Sequence, residues 1–153
     1  MKFEAPSSYR ELDHTADVAI EVEGAVEEEV YARAALALGQ MLAGGGPLTQ
    51  AVERTLEPAG HDRVSQLIAL LRDVLALFYD ERLILSAIDV RLGPPFSATG
   101  WFARWDPTLH REGVDVKAVT YGGARFEGSG VPTARPGEPT ALAGWTARLI
   151  FDI

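Results

Sequence analysis

Asp13-His14-Thr15-Ala16-Asp17-Val18-Ala19-Ile20-Glu21-Val22 sets two carboxylates and an imidazole directly before an alternating run. Val18, Ile20 and Val22 share one face of that run, and Ala19, Glu21 and Glu23 share the other, which is the period of a half-buried strand over 17–24. A strand holds its side chains rigidly, so polar groups at its mouth are well placed for chemistry. The sequence closes on a second alternating run, 144–153, with Trp145, Ala147, Leu149 and Phe151 on one face and Thr146, Arg148, Ile150 and Asp152 on the other. Where these two strand ends meet, Asp17 and Asp152 converge.

Between the two runs the pattern is helix, strand, helix, then strands. Glu27-Glu28-Glu29 suit the first turn of a helix, where the macrodipole favours negative charge. Val30, Ala34, Ala37, Leu38 and Met41 follow at helical spacing, and Gly44-Gly45-Gly46-Pro47 stops the helix. These glycines are not followed by Lys-Ser/Thr and come after a helix, unlike a phosphate loop. A second strand is expected over 49–57. Val64, Leu67, Ile68, Leu71, Val74, Leu75 and Phe78 then predict a core-facing helix over 62–81. Strands are expected over 83–92, 97–105 and 114–127. The Gly/Pro-rich stretch 128–140 cannot pair regularly and reads as a mobile loop within a hairpin. The order predicts a single α+β domain over 1–153, with mixed or antiparallel sheet and two main helices packed on one side.

Composition narrows the function. The 153 residues carry a net charge of −8 and no cysteine, which removes disulfides, thiolate catalysis and Cys-based zinc sites. Residues 1–30 hold nine acids against Lys2 and Arg10, an acidic pole that disfavours strong direct binding to nucleic acid and suits cations or a basic partner surface. No apolar run is long enough to span a membrane and the N-terminus lacks a secretory pattern, so the expected location is the cytoplasm. Asp13, His14, Asp17 and Asp152 offer hard donors suited to calcium, magnesium or manganese. The other reading of these residues is structural, with Asp13 and Asp17 bonding to their own backbone in a turn and His14 a satisfied interior histidine. His61 at a helix start and His110 in a loop carry no catalytic pattern, and no nucleophile stands beside a base.

Asp13-His14-Thr15-Ala16-Asp17-Val18-Ala19-Ile20, Val116-Lys117-Ala118-Val119-Thr120-Tyr121 and Trp145-Thr146-Ala147-Arg148-Leu149-Ile150-Phe151-Asp152-Ile153 together resemble the archease family over almost the whole chain. The resemblance implies a non-catalytic cytoplasmic cofactor protein for the RNA-splicing ligase that joins 3′-phosphate and 5′-hydroxyl ends. Such a protein promotes GTP-dependent guanylylation and multiple turnover of the ligase. It also implies a metal site at Asp17, Asp152 and Ile153, with calcium the associated ion and magnesium or manganese the alternatives. Asp13, His14 and Lys117 are its supporting candidates. The alternative role is a metal-independent, chaperone-like module for tRNA-processing or tRNA-modifying enzymes; a stand-alone metal hydrolase ranks last. Two departures stand out. Gly122 occupies a position where the family usually has histidine, and Ala25 stands where a polar helix cap is usual.

Overall fold

The computed structural model describes residues 1–12, 17–128 and 144–153. Asp13 to Ala16 and residues 129–143 fall outside them, and with them most of the Gly/Pro-rich loop. Ten elements follow in order: β1 (Lys2–Glu4), β2 (Arg10–Leu12), β3 (Asp17–Gly24), α1 (Glu27–Ala43), β4 (Val52–Leu56), α2 (Arg63–Glu81), β5 (Leu83–Arg91), β6 (Ser97–Arg104), β7 (Ala118–Gly128) and β8 (Trp145–Asp152). They form two four-stranded antiparallel sheets, ordered β1-β5-β6-β4 and β2-β3-β8-β7, with two helices.

Both helices touch both sheets: α1 packs on β5 of the first and on β3 and β8 of the second, and α2 packs on β5 and β7. Helix α1 is therefore apolar nearly all round, with Val30, Tyr31, Ala32, Ala34, Ala35, Leu36, Ala37 and Leu38 all buried. Its small residues let the helix approach closely. A Cβ added at Gly39 would lie 2.8 Å from the carbonyl oxygen of Leu85 on β5. Tyr31 ties the layers together, its ring centroid 4.8 Å from those of both Phe96, beside β6, and Phe126 on β7.

The helix ends follow from sequence. The N-cap of helix α1 is Val26, one residue after Ala25, and it has no side-chain cap. Instead Glu29 folds back so that its Oε1 accepts from the Ala25 backbone N–H at 2.7 Å, replacing in part the missing polar cap. It ends at Gly44, whose φ of 60° is the left-handed conformation glycine adopts freely. Helix α2 opens with a capping box: Asp62 accepts from the Ser65 N–H at 2.7 Å while Ser65 Oγ accepts from the Asp62 N–H at 3.2 Å. The N–H bond from Ser65 holds the Asp62 carboxyl below its usual range.

Two expectations shift. The strand expected over 49–57 contracts to Val52–Leu56. The strand expected over 114–127 begins only at Ala118, because the preceding segment serves α1. Gly113 and Val114 donate their N–H groups to the carbonyls of Leu42 and Met41 at 3.2 and 2.8 Å. Those carbonyls lack intrahelical partners at the helix end, so 113–114 completes the helix rather than a sheet. Val116 then drops into the core, fully buried.

Candidate functional site

Strand β8 lies between β3 and β7, and this order assembles the site. The β3–β8 register sets Asp17 directly opposite Asp152, and the β7–β8 register sets Ala118 opposite the same Asp152. Lys117, immediately before β7, donates its backbone N–H to the Asp152 carbonyl at 2.7 Å. Three strand ends thus meet at one corner of the second sheet.

The face on which these groups lie is fixed by the core. Ile20, Val22, Ala147, Leu149 and Phe151 are buried toward the helices. Side chains alternate with a period of two, so Asp17 and Asp152 must project from the opposite face, and a one-residue slip would bury them. Asp17 is half-buried, Asp152 is exposed, and Ile153 is 42% exposed. Like charges placed directly across a strand pair repel. A divalent cation between them would remove that repulsion, and carboxylate oxygens are the donors that hard cations select.

Of the sequence candidates, the structure brings Asp17, Asp152, Ile153 and the Lys117 backbone together. The Lys117 ammonium is exposed and forms no ion pair among the described residues. Asp13 and His14 lie outside the described residues. Among the described residues no cluster of three His, Cys, Asp or Glu side chains suited to a metal occurs, and the acidic residues that the register brings to this corner are Asp17 and Asp152.

Gly122 is not adjacent to this corner. It lies four residues beyond Ala118, about 13 Å along an extended strand, inside an irregularity where 121–124 of β7 stand opposite the single Leu149. Gly123 there has a φ of 80°, which permits the bulge. A Cβ at Gly122 meets nothing within 4 Å. Restoring the family residue by Gly122→His is therefore expected to change stability by no more than about 0.5 kcal/mol, as at other open surface positions. A thermal melt checks this, and a drop of several degrees would contradict the open geometry.

Sequence reading missed a second constellation on the same face. Register aligns Arg10, Glu21, Arg148 and Arg125 in one row across β2, β3, β8 and β7. Arg10 pairs with Glu21. The Nε of Arg148 is shielded from solvent and has no hydrogen-bond partner. Only the register reveals this row, since its members lie up to 138 positions apart and carry no local motif.

Comparison with known proteins agrees with the architecture. Residues 9–153 match the Archease protein family. Protein archease of Pyrococcus furiosus is 27% identical over 150 residues, covering 95% of this chain and 98% of that one. An archease-like protein of Dictyostelium discoideum is 28% identical over 127 residues, covering 78% and 84%. The solution structure of Methanobacterium thermoautotrophicum protein 1598 superposes with a TM-score of 0.71 at 25% identity, covering 95% of this chain and 98% of that one. With the two-sheet, two-helix fold and a family match spanning nearly every residue, this chain belongs to the archease family.

Proposed function

We propose that this protein is a non-catalytic accessory factor for a 3′-phosphate/5′-hydroxyl RNA ligase of the tRNA-splicing type, acting in the cytoplasm through a divalent-cation site at Asp17 and Asp152. The observation that carries the reading is the register that sets those two aspartates directly opposite each other at the ends of β3 and β8. Family membership supports an RNA ligase as the partner.

The residues at this corner suit a calcium-class ion. Asp17 and Asp152 would hold it, with main-chain oxygen at Ile153 as a further donor. When bound, the ion supplies charge neutralisation. The chain itself supplies position: Asp17 stands on β3, Asp152 on β8, and the Lys117 N–H fixes the Asp152 carbonyl from the third strand. The corner then becomes a rigid, nearly neutral element within an acidic protein, suited to dock on a basic cleft. On this reading the activating role lies in contact with the partner.

Ligase guanylylation with GTP, measured with and without this protein, tests the reading. Wild-type protein is expected to stimulate, and Asp17→Ala and Asp152→Ala proteins to lose most of the stimulation while remaining folded by circular dichroism. Full stimulation by both variants and by chelator-treated protein would replace the metal-dependent reading with the metal-independent, chaperone-like one. Absence of stimulation by wild-type protein would remove the ligase as partner.

A further inference from the structure

The face of the second sheet that points away from the helices carries four registered rows. Beyond the Asp17–Asp152 row lies an apolar row with Ala19 and Ile150, and beyond that the row of Arg10, Glu21, Arg148 and Arg125. A last row holds Glu23, Thr146 and Glu127. The arginine row has three guanidinium groups and one carboxylate. That carboxylate is committed, since Glu21 is bonded by Arg10 at the outer edge.

Arg148 and Arg125 remain, directly opposite each other on neighbouring strands. Among the described residues neither forms an ion pair, although Glu23 and Glu127 stand one row away. Arg148 is half-buried, and its Nε is both hidden from water and without a hydrogen-bond acceptor. Guanidinium can only donate, so two facing groups with spare N–H bonds cannot satisfy each other. A buried donor left open in a native fold calls for an acceptor from elsewhere.

The bulge explains how this juxtaposition arises. From Thr120 opposite Ile150, an unbroken ladder would set Gly122 opposite Arg148. The four residues 121–124 against Leu149 alone bring Arg125 there instead. Bulges that re-aim a side chain in this way recur beside binding sites. The insertion thus sets two arginines opposite each other on adjacent strands, and guanidinium forks bind oxyanions through paired donors.

We infer that Arg125 and Arg148, opposite each other on β7 and β8 with Arg10 at the flank, form a phosphate-class oxyanion site on the face of the second sheet that points away from the helices. Its oxyanion is either an isolated phosphate or the phosphoryl group of a nucleotide. It does not depend on the ligase reading, and it is separated from the Asp17–Asp152 corner by four residues of β8, about 13 Å. The surrounding acids limit its affinity and restrict it to ligands that bring oxyanions within direct reach of the guanidinium groups.

The test uses the whole protein in EDTA-containing buffer, so that no divalent ion bridges the ligand. Because the Arg148 Nε–H is shielded, its NMR resonance is the direct readout. Inorganic phosphate is expected to move it saturably, whereas chloride at equal ionic strength leaves it in place. Arg125→Gln, at an exposed position, is expected to weaken the response about tenfold, the loss of one charge-assisted contact. Glu21→Gln, which removes the row's negative charge, is expected to tighten it. A parallel titration with ATP separates the sources: tighter binding than phosphate assigns a nucleotide phosphoryl group, and equal binding assigns isolated phosphate. No saturable shift up to about 50 mM phosphate, or the same shift with chloride, overturns the proposal, as does an unchanged response in Arg125→Gln.

Discussion

Addition of calcium to the wild-type protein is expected to raise its melting temperature by about 5–10 °C, and Asp152→Asn is expected to abolish the rise. At a free ion concentration one hundred times the dissociation constant, binding to the native state alone adds about 2.7 kcal/mol. For a chain of this size each kcal/mol is worth about 2–4 °C. The substitution has a second, opposite signature. Without metal, Asp17 and Asp152 face each other as like charges, and asparagine keeps the side-chain shape while removing one of them. The metal-free variant should therefore melt no lower than the metal-free wild type, and up to about 1 kcal/mol more stably. A structural aspartate would behave otherwise, destabilising the fold when replaced and leaving the calcium response intact. Differential scanning calorimetry at several calcium concentrations distinguishes the two, and an undiminished calcium response in Asp152→Asn would place the cation elsewhere.

The largest effect expected from a single added methyl group is at Gly113. A Cβ there would lie 1.9 Å from the Met41 carbonyl oxygen and 2.7 Å from the Gly44 backbone nitrogen. Neither is the tip of a flexible side chain, so the whole 113–114 segment must withdraw from the end of α1. Withdrawal breaks the N–H bonds to Leu42 and Met41 and leaves two helix-terminal carbonyls to find water. Overpacking and the lost bonds together put the cost of Gly113→Ala at about 3 kcal/mol, or roughly 6–12 °C. Chemical denaturation should show a lower midpoint with an unchanged slope. A midpoint within error of wild type would mean that the loop is not held as the structure has it. Since Val116 and Lys117 lie just one residue beyond this segment, a loosened segment should also lower affinity at the Asp152 corner.

How much of this was legible in the sequence depended on how many residues shared each pattern. The alternation of Val18, Ile20 and Val22 gave β3 its bounds, and seven apolar positions at helical spacing gave α2 its extent to within a residue. The strands β1 and β2, three residues each, are too short to display a period. Val114-Asp115-Val116 does alternate, yet those residues are drawn to the open carbonyls of α1, a tertiary demand that no local window contains. The convergence of Asp17 and Asp152 was legible as a condition, that the first and last alternating runs be neighbours, and the structure meets it. The arginine row was not legible at all. It depends on a bulge whose only local trace is Gly122-Gly123, and those glycines say that the ladder breaks without saying by how many residues.

The position of β8 has a consequence for how the molecule assembles. It is an inner strand of the second sheet, yet more than a hundred residues separate it from its β3 partner. Such a pairing closes a long loop and belongs among the late events of folding. Until it forms, β3 and β7 each present an unpaired edge and an uncovered apolar face, the state in which chains of this kind aggregate. Substitutions that slow the docking of Leu149 and Phe151 should therefore be recovered from cells mainly as insoluble protein, even where the completed fold would tolerate them. The strand that brings Asp152 to Asp17 is also the one that closes both edges, so a molecule that remains soluble is one in which that corner has already been built.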